Sequence, residues 1–125
     1  MRVLIVDDDP AIRRFVDAVL TDAGYETVVA TDGEDALDQT GSFGLLVTDL
    51  TMPRMTGDAL AMTMIKKQAN LKVLYLAANG DQMFKKKVTL WRGEAFLDKP
   101  ATPQQLLESI EKLLEPVGSR SPSSR

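Results

Sequence analysis

Cysteine and histidine are both missing from the 125 residues. Without cysteine there are no disulfides, thiolate metal sites or cysteine nucleophiles, and without histidine there is no imidazole to serve as base or metal ligand. Any chemistry falls to carboxylates, amines and hydroxyls. No apolar run approaches the ~20 residues that a membrane-spanning helix needs, and the short run Val3–Val6 falls below the about 7–15 residues of a secretory signal core. The expectation is a cytoplasmic chain with no membrane partner. Neither G-x-G-x-x-G nor G-x-x-x-x-G-K-[ST] occurs, so the usual glycine-built phosphate cradles are absent.

What is present suits one globular domain with one core: 44% apolar and 26% charged residues. The net charge of −3 is unevenly spread. Residues 1–65 carry four basic and twelve acidic side chains, a net of −8, whereas residues 66–125 carry eleven and six, a net of +5. The acidic half is suited to a cation. A chain that is acidic overall and has no helix-turn-helix or similar module is not expected to bind nucleic acid directly.

Arg2-Val-Leu-Ile-Val6 is β-branched, apolar and stopped by acids, which predicts a strand buried on both faces of a parallel sheet. Asp9-Pro10 predicts a helix cap, followed by Ile12, Phe15, Val16, Val19 and Leu20 at helical spacing up to Gly24. Further strands are predicted at Glu26–Ala30, Leu45–Thr48, Lys72–Leu76 and Ala95–Leu97, the last short and at an edge. Helices are predicted at Gly33–Gln39, at Asp58–Lys67, through Lys85-Lys86-Lys87, and after a Thr102/Gln105 capping box. Five strand–helix units predict an α/β, flavodoxin-like, doubly wound sheet of five parallel strands in the order 2-1-3-4-5, with five helices. The domain should occupy residues 1–115, leaving 116–125 as a flexible tail, linker or expression remnant.

In open α/β sheets ligands bind beyond the carboxyl ends of the strands, near the point where strand order reverses. Asp7 and Asp8 close the first strand, Asp49 the third and Ala77 the fourth, with Lys99 just past the fifth. Carboxylates at ~4 Å repel by about 4 kcal/mol even at an effective dielectric of 20, so a positive group must offset them. A hard, oxygen-preferring dication, Mg2+ or Mn2+, fits this donor set. Asp49 is then a candidate nucleophile that attacks phosphorus in line and forms an acyl phosphate, with Lys99 and the dication neutralising the equatorial oxygens. The structural alternative is that the Asp7-Asp8-Asp9 run only caps a helix. It accounts for Asp9, but capping requires no acid on a second strand end.

Val6-Asp-Asp8, Asp49 followed by Met52-Pro53 and Gly57, and Lys99-Pro100 each follow a predicted strand. Together they make residues 1 to about 115 resemble the receiver domains of bacterial response regulators, whose chemotaxis-type members are single domains. The resemblance implies a two-component phosphorelay protein that takes a phosphoryl group on Asp49 from a histidine kinase or phosphotransfer protein. It makes Asp8 a metal ligand, Asp7 a ligand through water, and Thr51 a ligand through its backbone carbonyl. Lys99 would contact the phosphoryl group, and the Lys99-Pro100 bond would be cis. An effector would meet the face made by the fourth predicted helix, the fifth strand and the last helix, where Lys85-Lys86-Lys87 and Trp91 lie. Phe96 falls at an aromatic switch position, or is an ordinary core aromatic. Ala77 departs from the family, which carries Thr or Ser there. That departure is the one reason to consider a receiver-like interaction module without phosphorylation. An aspartyl-phosphate phosphohydrolase is a further alternative, weakened because Thr51 stands where Asp-x-Asp needs its second acid. Flavin or nucleotide binding at the same crevice is weakened because the Asp7-Asp8-Asp9 run repels phosphate. Multiple turnover on external substrates is not expected; autodephosphorylation is the hydrolytic step left open.

Overall fold

Strands built from short β-branched and leucine-rich runs carry side chains to both faces; the three central ones are buried on both, and the two at the edges only in part. In the computed structural model, which describes residues 1–78 and 93–115, they are β1 (Arg2–Val6), β2 (Glu26–Ala30), β3 (Leu45–Asp49), β4 (Lys72–Ala77) and β5 (Glu94–Asp98). Four helices alternate with them: α1 (Pro10–Asp22), α2 (Gly33–Asp38), α3 (Gly57–Lys67) and α4 (Pro103–Leu114). The sheet is parallel throughout in the order β2-β1-β3-β4-β5, as expected. The helix count is corrected to four among the described residues. The helix expected through Lys85-Lys86-Lys87, together with Trp91, and the tail at 116–125 lie outside the described residues.

Side-chain alternation along the strands divides the core in two. Leu4, Val6, Leu46, Val73 and Tyr75 meet Ala36 of α2 and Leu60 and Met64 of α3. On the opposite face Val3, Ile5, Leu45, Val47 and Leu74 meet Val16 and Leu20 of α1 and Leu106 and Ile110 of α4. Each fully buried aliphatic side chain contributes roughly 1.5–3 kcal/mol, and among the described strands these are concentrated in β1, β3 and β4. Their carboxyl ends carry the acids.

Local signals set the helix entries. Asp9 accepts the Ala11 amide at 2.9 Å with Pro10 in the first turn, and Thr102 and Gln105 exchange a capping box at 2.9 and 3.1 Å. Gly24, at φ +97°, lets the chain leave α1. Several boundaries move outward by a residue. Asp49 and Ala77 belong to their strands, because the ladder continues to Leu50, whose amide donates to the Leu76 carbonyl at 2.9 Å.

Candidate functional site

Register is what brings the acids together. Val6 pairs with Thr48 across β1 and β3, so Asp7 and Asp49 leave neighbouring strands at one level. Asp49 pairs with Leu76, and Ala77 pairs with Asp98 on β5. The Lys99 amide then donates to the Ala77 carbonyl at 2.8 Å, which turns the lysine toward β1 and β3. The Lys99-Pro100 peptide is cis.

Lys99 Nζ donates to Asp49 Oδ1 at 3.1 Å and faces Asp7 Oδ2 at 3.2 Å as an ion pair. Asp7 is only 1% exposed and Asp49 6%, whereas Asp8 is exposed. Asp7 Oδ1 accepts the Asp9 amide at 2.9 Å, but its Oδ2 is buried without a hydrogen bond. Burial of that depth penalises charge. It pushes the Asp7 carboxyl up, against the Asp9 amide and Lys99, which pull it down. Burial and then the Asp7 charge push Asp49 up to about 6, despite Lys99. Burial alone would depress the Lys99 ammonium, yet Asp7 and Asp49 together hold it above its ordinary value.

One carboxylate oxygen from each of Asp7, Asp8 and Asp49 can lie within 4.8 Å of the other two. An all-oxygen donor set, a buried Asp7 Oδ2 whose one cationic partner is shared with Asp49, and one lysine against three acids fit a hard dication. Thr51, expected to add its carbonyl, lies exposed two residues past Asp49.

The loop from Leu50 to Thr56 is tightly folded against Asp49. Met52 is buried, the Gly57 amide donates to the Leu50 carbonyl at 2.8 Å, and a Cβ on Gly57 would collide with the Asp49 main-chain oxygen. Glycine is therefore required for α3 to begin against the strand end. Arg54 adopts φ +67° in this loop and pairs with Asp32 at 2.8 Å and Glu34 at 3.7 Å.

Ala77 is fully buried at the end of β4. Phe96 is half-buried on β5 and packs against Tyr75, ring centroids 5.7 Å apart. It thus sits in the core as well as at the position the resemblance marks. Asp7, Asp8, Asp49 and Lys99 converge, as the sequence predicted. Sequence reading did not single out Arg13, whose Nη1 donates to the Asp7 carbonyl at 2.7 Å. Its one legible sign was its place just inside the helix that follows the acids, a place Arg14 shares.

Residues 3–111 match the family model described as the response regulator receiver domain. The chain is 39% identical to the chemotaxis protein CheY of Pseudomonas aeruginosa over 124 residues, covering 94% of this chain and 98% of that protein. It is 32% identical to the probable transcriptional regulator ycf27 of Cyanophora paradoxa, covering 90% of this chain but 48% of that protein, so it spans about half the length of that relative. Among solved structures it is similar to the response regulator protein TrrA of Thermotoga maritima in complex with Mg2+-BeF, with a TM-score of 0.78 and 31% identity, covering 90% of this chain and 98% of that one.

Proposed function

Because this chain belongs to the response regulator receiver domain family, we propose that Asp49 is the side chain on which it takes the phosphoryl group. Receiver domains are phosphoacceptors in two-component signalling and interact with histidine kinases and phosphotransfer proteins. The observation that carries the assignment is the convergence on Asp49 of a buried acid, an exposed acid and one ammonium group from two other strand ends. Neither an unphosphorylated interaction module nor a phosphohydrolase is favoured by the relatives.

In this reading Asp8, Asp49 and the Thr51 carbonyl hold Mg2+ or Mn2+, with Asp7 acting through water. The TrrA structure in complex with Mg2+-BeF supports the magnesium choice. When bound, the cation supplies charge neutralisation at the phosphoryl oxygens. Asp49 presents a carboxylate oxygen to phosphorus. The new oxygen–phosphorus bond forms as the bond to the donor breaks, and the donor leaves with the electron pair. Lys99, already 3.1 Å from Asp49 Oδ1, places its ammonium group where a phosphoryl oxygen would arrive. Intact-mass spectrometry after treatment with acetyl phosphate and Mg2+ tests the assignment. The parent should gain one labile phosphoryl group and Asp49→Asn none; an equal adduct on Asp49→Asn would move the acceptor elsewhere.

Ala77 separates acceptance from response. A hydroxyl at this buried strand end would donate to the bound phosphoryl group, and hydrogen bonds to charged groups contribute roughly 1.5–3 kcal/mol, about 10- to 150-fold in coupling. Beryllofluoride with Mg2+ should therefore shift β5 and α4 amide resonances only modestly in the parent and clearly more in Ala77→Ser. Large shifts across that face in the parent would show that the response does not need the hydroxyl. An effector-binding role for the face made by the fourth predicted helix, β5 and α4 belongs to the same proposal, that helix lying outside the described residues.

A further inference from the structure

We infer that Arg13 is a positioning residue for the metal-binding acids, acting on the peptide between Asp7 and Asp8. The inference rests on the cation reading above. Beyond Val6 the β1 ladder ends, with a last long contact from the Asp7 amide to the Ala30 carbonyl at 3.4 Å. The Asp7 carbonyl has thus left the sheet. Six residues on, half-buried Arg13 reaches back from the first turns of α1 and donates Nη1 to that carbonyl at 2.7 Å, a short charge-assisted hydrogen bond.

The consequence follows from peptide planarity. The Asp7 carbonyl and the Asp8 amide share one rigid plane, so holding the carbonyl fixes the bond from which Asp8 departs. Asp8 is exposed, so the peptide from which it departs sets the region its carboxylate can reach. The flanking turns are fixed separately: Asp7 Oδ1 takes the Asp9 amide at 2.9 Å, and Asp9 Oδ1 takes the Ala11 amide at 2.9 Å. Neither of these bonds holds the 7–8 peptide. The guanidinium stands one step behind the acids, as the hydrogen-bonding partners of metal ligands do, and loss of such partners typically lowers metal affinity about 10- to 100-fold.

Calorimetric titration of Mg2+ into the full chain tests this, comparing the parent with Arg13→Met, Arg13→Lys and Arg14→Met. Methionine keeps the stem and removes the donor, lysine restores a single cationic donor, and Arg14 is the exposed neighbour. Arg13→Met should bind Mg2+ about tenfold more weakly, Arg13→Lys should recover part of the loss, and Arg14→Met should match the parent. The rate of phosphorylation by acetyl phosphate at saturating Mg2+ should change by less than about threefold, since Arg13 is not asked to touch the phosphoryl group. An unchanged Mg2+ affinity in Arg13→Met overturns the inference. So does a loss accompanied by an equal fall in thermal stability in EDTA and no rescue by lysine, which makes Arg13 a general brace. A parent that binds no Mg2+ overturns the cation reading itself, and that result is distinct from either.

Discussion

Asp49→Asn should make the metal-free protein more stable at pH 8 while abolishing its phosphorylation. The folded protein raises the Asp49 carboxyl from 3.8 to about 6, chiefly through burial and the neighbouring Asp7 charge. A raised acid means that the folded state holds its proton more tightly than the unfolded state, so stability falls as pH climbs from about 4 to about 6. Above that window the whole cost of ionising a buried carboxylate is present, on the order of 3 kcal/mol for a shift of this size. Asparagine removes the charge at nearly constant volume, and its amide oxygen still accepts from Lys99. The expected gain at pH 8 in EDTA is roughly 1–3 kcal/mol, or on the order of 5–10 °C in the unfolding midpoint. It should vanish below about pH 3, where Asp49 is protonated in both states of the parent. Mg2+ should stabilise the parent far more than the variant and so invert their order. A less stable Asp49→Asn protein at pH 8 would mean that the Asp49–Lys99 pair outweighs the burial cost, and that the site is a structural ion pair.

This tension between fold and site governs how much of each was legible in the sequence. The sheet order and the four described helices could be read because Val3 to Val6, Leu45 to Val47 and Lys72 to Leu76 are local patterns, and Asp9-Pro10 and Thr102-Pro103-Gln105 are local caps. Asp7, Asp8, Asp49 and Lys99 could be read because each follows such a strand and the topology carries strand ends to one edge. Their energetics were out of reach. Whether Lys99 serves one acid or both depends on the register of three strands, and on distances near 3 Å that no spacing encodes. Arg13 was hidden for the same reason: whether it or Arg14 turns inward depends on the rotation of α1 against the sheet. Phe96 shows the opposite case, since a core aromatic and a switch position would impose the same residue, and its packing against Tyr75 accounts for the first.

Lys99→Met should separate the two jobs proposed for the lysine. Its ammonium is the cation at 3.1–3.2 Å from Asp7 and Asp49, and its stem lines an apolar cavity with Phe15, Leu76 and Pro100, so methionine keeps the packing and removes only the charge. Because the lysine is held above 10.5 in the folded state, its contribution is fully present at pH 8 and is lost only as pH rises past its own titration. Breaking a buried pair by removing one partner costs about 3–5 kcal/mol. Lys99 is partly exposed and protonation of one acid relieves the strain, so roughly 2 kcal/mol is the expected loss at pH 8 in EDTA. The Asp49 titration, followed by carboxyl 13C resonances, should move above its parent midpoint of about 6. Phosphorylation by acetyl phosphate should fall by about 10²–10³-fold, the usual effect of losing one preorganised charge from such a site. Mg2+ should bind at least as tightly as in the parent, because the variant no longer sets an ammonium group against a dication. The two cationic side chains would then have opposite signatures: Arg13→Met loses Mg2+ affinity and keeps the saturated rate, whereas Lys99→Met keeps Mg2+ and loses the rate. A Lys99→Met protein that is phosphorylated as fast as the parent would reduce the lysine to a counter-ion for Asp7 and leave the chemistry to Asp49 and the dication.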